Sequence, residues 1–174
     1  MRNLFGFSSS ILSFLIGLFL MPDALRALPK ELYIGETWSA WIIKSKNRSV
    51  CYVHAEPRKK TGKYLRRGPT YLQVTNRPSE KIYDEVSVTA GYIYKSKSAV
   101  VAEIDGQKRK LFTSGGTAWS NNKKDDRILV REMLSGRELV IKGLSSRGTL
   151  TTDYYSLIGF TLAYRASAKA CGIK

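Results

Sequence analysis

The chain carries two cysteines, Cys51 and Cys171, and the second closes a stretch whose structural period changes partway along. That stretch, Arg147 to Cys171 (RGTLTTDYYSLIGFTLAYRASAKAC), opens on a glycine turn and continues as a Thr- and Tyr-rich strand. From Ser156 the spacing becomes helical: Leu157, Phe160, Leu162, Ala163, Ala166 and Ala170 fall on one face. Ser156 or Gly159 sits near the helix start, and Lys169 in the last turn suits the dipole. A Cys51–Cys171 bridge would close a loop of roughly 120 residues, worth up to ~4–5 kcal/mol in the chain-entropy account. It would also force the tail back across nearly the whole chain. The alternative is a pair of buried free thiols, which pack as small hydrophobes. The spacing excludes a CxxC redox pair, and one His with two Cys is too little for a zinc site.

An oxidising compartment permits such a bridge, and the N-terminus points to one. Residues 1 to 27 read as a secretory signal peptide: Arg2 gives the positive start, Ile11 to Met21 is almost wholly apolar, and Pro22 breaks the run. Asp23-Ala24-Leu25-Arg26-Ala27 offers small residues for cleavage after Ala27. A retained anchor is the competing reading, but the apolar run falls short of the ~20 residues a spanning helix needs. No later stretch is apolar enough to span. Residues 28 to 174 are then one exported domain, long enough to bury a core.

That domain is strongly basic. The full chain holds 29 Lys+Arg against 14 Asp+Glu, net +15, and removing Arg2, Arg26 and Asp23 lowers this by only one. Such a charge speaks to partners and solubility, not to fold. The basic residues crowd into Glu56 to Gly68 (EPRKKTGKYLRRG), where Arg58, Lys59, Lys60, Lys63, Arg66 and Arg67 surround Tyr64. Self-repulsion predicts a solvated, mobile loop. Functionally it reads as an anion-binding loop with Tyr64 available to stack; the plainer reading is an exposed connection whose charges serve solubility.

Period-two runs occupy most of the remainder: Trp38–Lys44, Ser49–Ala55, Pro69–Asn76, Glu85–Tyr94, Ser98–Ile104, Gln107–Thr113, Glu138–Leu144 and Thr149–Tyr155. Cys51 and Val53 share one face, with Val50, Tyr52 and His54 on the other. Gly91 inside its run suggests a bulge or a close backbone approach, and Asp105-Gly106 is a hairpin turn. Asp126 to Leu134 has helical spacing, with an Asp at its start and Gly136 beyond its end. The expected fold is all-β: a single-domain β-sandwich or flattened barrel of about seven or eight antiparallel strands, with one short helix and a C-terminal helix.

Five features in order resemble the invasion-associated locus B family of exported alphaproteobacterial proteins. Trp41 is followed by Cys51; Val86-Ser87 precedes Gly91-Tyr92; Phe112 and a small-residue corner precede Ala118-Trp119. Met133 and Gly136 lead to Ser145 and Arg147-Gly148-Thr149; Tyr155 to Phe160 leads to a helix ending at Cys171. The resemblance spans about Trp38 to Cys171. It implies a periplasmic, surface-associated or secreted factor, linked in some members to host-cell entry, with no known catalytic residues. The Arg58–Arg67 loop is not part of that pattern.

Nothing in the sequence assembles into an active site. His54 is the sole histidine, no GxSxG elbow is present, and Asp125, Asp126 and Asp153 suit capping and turns. Ser114-Gly115-Gly116-Thr117 lacks the lysine that follows in a phosphate loop. The expectation is a non-catalytic binding protein with no cofactor or metal. Its partner is expected to be a bacterial-envelope or host-surface component, an acidic glycolipid or a protein, rather than a specific nucleic acid. The competing expectations are an exported hydrolase built from distant residues such as His54 and Asp153, and an envelope-maintenance protein. Oxidised protein unfolded in denaturant without reductant is expected to show no free thiol on colorimetric titration; two free thiols would end the disulfide.

Overall fold

Alternation of branched or small residues with polar ones extends the chain wherever one side can be buried. In the computed structural model, which describes residues 28–173, that alternation yields most of the expected strands. The signal-peptide reading falls on residues 1–27, outside the described residues. The elements are β1 (Lys30–Ile34), β2 (Ser39–Ser45), β3 (Arg48–Ala55), β4 (Lys59–Gly62), β5 (Tyr71–Arg77), β6 (Ile82–Thr89), β7 (Val100–Ile104), β8 (Gln107–Ser114), β9 (Thr117–Trp119), α1 (Lys123–Ser135), β10 (Glu138–Leu144), β11 (Leu150–Ser156) and α2 (Phe160–Ala170). The fold is all-β in class, but with eleven strands rather than seven or eight. The additional strands are short, and β1 (KELYI) and β4 (KKTG) lack a hydrophobic alternation. Only pairing makes them strands: β1 joins the next strand, β2, and β4, inside the expected mobile loop, lies along the distant β11.

All pairings are antiparallel, in the order β1-β2-β3-β5-β6-β9-β8-β7-β10-β11-β4. Laid flat at ~4.8 Å per strand, β2 and β11 would be about 38 Å apart. Yet the Trp38 indole N–H, just before β2, donates to the Ser156 carbonyl at the end of β11 at 2.7 Å. The sheet therefore folds over into two facing layers. The crossing strand is β8, whose Gln107–Leu111 pairs with β7 while Phe112–Ser114 pairs with β9. Such a switch between layers is how sandwiches make corners. One core lies between the layers, with Val53, Leu72, Val74 and Val86 from one side and Ala102, Leu139, Ile141 and Tyr155 from the other.

The two helices close the open margins of that core. Helix α2 packs on β1, β2 and β3, and Phe160 meets Trp38 edge-on with ring centroids 4.8 Å apart. Leu162, expected on the apolar face, is 57% exposed. The buried arc is set by Phe160, Ala163 and Ser167, and a residue two positions on from Phe160 points about 200° away from it. Past the helix, Cys171 is disulfide-bonded to Cys51 on the inner face of β3, with Cα atoms 6.0 Å apart. Helix α1 packs on β6. Its cap is Asn122, which accepts from the Lys124 and Asp125 N–H groups, not Asp126. Asp126 is buried and accepts from the Val86 N–H at 3.0 Å; burial pushes its carboxyl above the usual range. No helix among the described residues is long and apolar enough to cross a membrane.

Two glycines show what the turns require. Gly106 has φ +89° and open space around it, whereas Gly91 has φ +72° and faces the Gly68 backbone, so a Cβ there would overlap the Gly68 carbonyl oxygen. The close approach suggested by the sequence is real: the Gly68 N–H donates to the Gly91 carbonyl at 2.9 Å. Gly106→Ala is expected to cost about 1–2 kcal/mol, the left-handed penalty alone. Gly91→Ala should cost at least twice that in urea unfolding, and equal costs would remove the close approach as a constraint.

Candidate functional site

Because β4 pairs with β11, the chain leaving Gly62 is delivered over the turn that joins β10 to β11. There three segments meet: Lys63–Gly68 after β4, Gly91–Ile93 after β6, and the Ser145–Thr149 turn. Backbone bonds hold them, from the Gly68 N–H to the Gly91 carbonyl and from the Ser146 N–H to the Ile93 carbonyl at 2.8 Å. Between them opens a cleft of about 800 Å³.

Beneath the cleft is a buried ion pair. The Arg67 guanidinium donates to both oxygens of Asp153, at 2.6 and 2.5 Å, and its Nε–H donates to the Ala90 carbonyl at 2.6 Å. The two side chains are only 4% and 2% exposed. Burial acts to lower the Arg67 pKa, but the hydrogen bonds and charge of Asp153 more than reverse this, so the arginine stays charged. Its guanidinium lies 5.5 Å from the Tyr64 ring centroid and 5.1 Å from that of Tyr92, within cation–π range. The Tyr92 hydroxyl shares a 2.5 Å hydrogen bond with the Thr151 hydroxyl. Burial raises the pKa of the Tyr92 hydroxyl and, more strongly, that of Tyr94.

The rim differs from the floor. Lys63, Arg66 and Arg147 are exposed and form no ion pair among the described residues. Leu65 is fully exposed and Ile93 is 59% exposed. The mouth thus combines three cations with two bare aliphatic side chains.

The basic stretch is therefore divided in function. Arg58 forms an ion pair with Glu138. Lys59 and Lys60 lie on β4, with the Lys59 ammonium 5.4 Å from the Tyr154 ring centroid. Lys63, Tyr64 and Arg66 line the cleft, and Arg67 is its buried support. The expected solvated loop is corrected here, because its last cation is neutralised inside the protein. Sequence reasoning assigned Asp153 to turn duty and overlooked its partnership. The signal was present: alternation places Thr151, Asp153 and Tyr155 on the buried side of one strand, and a buried carboxylate needs a cation. Tyr92, Ile93, Ser145 and Arg147 reach the cleft from remote segments and carried no such signal.

His54 and Asp153 are not brought together. His54 lies on the outer face of β3, its ring 5.1 Å from that of Tyr71, and burial lowers its pKa. Asp153 faces inward and both its oxygens are held by Arg67. Ser114 to Thr117 forms the hairpin turn between β8 and β9, with Gly115 at φ +57°. Removing one member of a buried pair strands the other, so Asp153→Ala is expected to cost about 3–5 kcal/mol in urea unfolding. The apolar double change Arg67→Met with Asp153→Leu should recover much of that loss; a double variant as unstable as the two single changes added together would overturn the account.

Three comparisons with known proteins bear on this chain. No curated protein and no solved structure matches it. The family model described as "Invasion associated locus B (IalB) protein" matches residues 38–168. That span holds β3, the cleft, the Arg67–Asp153 pair and nearly all of α2. The chain belongs to the invasion associated locus B family.

Proposed function

We propose that the protein is a non-catalytic exported binding protein, periplasmic, surface-associated or secreted, in which residues 28–174 act as one β domain after removal of residues 1–27. Its cleft takes an acidic, partly apolar component of the bacterial envelope or host surface, of which an acidic glycolipid is the chemical type. Through that contact it contributes to interaction with host cells. The observation that carries the reading is the convergence of Lys63, Arg66 and Arg147 with Leu65 and Ile93 around one opening. Arg67, already committed to Asp153, shapes the opening but does not supply its charge. The N-terminal apolar run, the Cys51–Cys171 disulfide and the family support export.

Cations near an anionic surface contribute about 1 kcal/mol each, and an inserted Leu adds about 1.5–3 kcal/mol when fully buried. Wild-type protein should bind lipopolysaccharide vesicles, with affinity falling as salt rises. Changing Lys63, Arg66 and Arg147 to Gln should weaken binding roughly a hundredfold, the three-cation sum. Changing Arg58, Lys59 and Lys60 to Gln should leave it within a few-fold. Equal losses from the two triple variants would mean that overall charge, not the cleft, is responsible; no binding by wild type would reject the reading.

A further inference from the structure

The two outer faces of the sandwich differ in chemistry. On the layer containing β7, β10, β11 and β4, one outward row across the strands reads Lys108, Glu103, Val140, Tyr154, Lys59. The next row carries Lys110 and Lys142. On the other layer, the row across β2, β3, β5, β6, β9 and β8 reads Ser39, His54, Gln73, Ser87, Trp119, Phe112. Its neighbours are Trp41, Tyr52, Thr75 and Glu85 on one side and Tyr71, Thr89 and Thr117 on the other. No lysine or arginine stands among these residues; Lys110 follows at the next position on the Phe112 side of β8, and Arg77 at the next on the Thr75 side of β5. The core and both helices lie against the opposite face.

At the β8 end the row runs into a hollow of about 550 Å³. One wall is the Phe112–Trp119 pair, stacked with centroids 5.8 Å apart and planes 26° from parallel. Phe112 is 46% exposed, and Tyr83, on another wall, is 39% exposed. Ser114, Asn121 and Glu85 supply polar groups. Asn121 uses its NH₂ on the Lys110 carbonyl, which leaves its own carbonyl oxygen to accept. The Trp119 indole N–H finds no acceptor among the described residues. Glu85 is neutralised by Arg77 at 2.8 Å, and the Lys123 ammonium donates to the Lys81 carbonyl at 3.1 Å. The Asp126 carboxyl is buried on the Val86 N–H. The hollow is thus aromatic and hydrogen-bonding.

We propose that this hollow and the row beside it bind a neutral saccharide chain. A sugar ring has an apolar C–H face and a hydroxyl edge. The stacked Trp119 and Phe112 rings match the first, and the indole N–H, the Asn121 carbonyl and the Ser, Thr and Gln side chains match the second. Placing aromatic bodies with a few convergent polar groups in a concavity is how small-ligand sites gain both affinity and orientation. Six strands at ~4.8 Å span about 24 Å, room for roughly five sugar units in line. Charge argues for a neutral ligand, because an acidic glycan would be drawn to the lysine rows or the cationic cleft instead. This site is independent of the cleft and of the function assigned to it.

The test uses the purified chain, with intrinsic tryptophan fluorescence and pull-down read against N-acetylglucosamine tetramer and maltohexaose, and with thermal unfolding of each variant as a control. Wild type should bind at least one of the two, with little salt dependence. Trp119→Ala and Phe112→Ala should each weaken binding at least tenfold, while Trp119→Phe and Phe112→Tyr, which keep the rings, should retain most of it. The cleft variant with Lys63, Arg66 and Arg147 changed to Gln should bind sugar as wild type does. Failure of wild type to bind either saccharide at millimolar concentration would overturn the proposal, as would binding that survives Trp119→Ala in a folded variant. Concentration-dependent dimerisation abolished by Trp119→Ala, seen in sedimentation, would assign the face to a second copy of the chain and equally overturn it.

Discussion

The Arg67–Asp153 pair is the interaction on which one end of this protein depends. Two charges taken out of water lose several kcal/mol of hydration each, and only close, fully hydrogen-bonded geometry offsets this. Here Asp153 receives two N–H groups from Arg67, and the third guanidinium edge is satisfied by the Ala90 carbonyl. Those three contacts join the segment after β4, the end of β6 and the middle of β11. The basic stretch is thereby held against the sheet at its last residue, and the preceding Lys63 to Arg66 have few ways to lie. A cationic segment that would otherwise repel itself into solvent becomes the wall of a cleft.

The sandwich has a second set of fastenings. Folding an eleven-stranded sheet back on itself leaves its margins open, and here a helix, an indole hydrogen bond and a disulfide close one of them. The Trp38 indole bonds to Ser156, its ring packs on Phe160, and Cys171 ties the end of α2 to β3. These contacts join β2 and β3 to the last quarter of the chain. By contrast, β4 guards its exposed edge with Lys59 and Lys60, a common defence against strand-to-strand aggregation.

Charge is distributed as unevenly as packing. The outer face of one layer carries Lys59, Lys108, Lys110 and Lys142 and the cleft rim carries Lys63, Arg66 and Arg147, while three rows of the other outer face show mainly rings, hydroxyls and amides. Cross-strand aromatic and hydroxyl pairs stabilise a sheet whether or not anything docks there. The two surfaces are chemically separate, one cationic and one largely aromatic and hydroxylated.

What could be read from residues alone was whatever local period or local chemistry encodes. The face shared by Cys51 and Val53, the Asp105-Gly106 hairpin, the Glu138–Leu144 strand, the terminal helix and the cysteine pair all rest on spacings within a few residues or on the redox compartment. Family membership was legible for the same reason, as an ordered series of short motifs. Tertiary structure decided the rest. β1 and β4 lack a pattern of their own and exist through their ladders, β1 to its neighbour β2 and β4 to the distant β11. Asn122 rather than Asp126 caps α1, because Asp126 is drawn inward to the Val86 N–H. Leu162 faces water because the arc buried by α2 is set by the sheet beneath it. The cleft needed residues from three segments far apart in sequence, and only folding brings Arg67 to Asp153, since a buried charge selects its partner by proximity in space and not by distance along the chain.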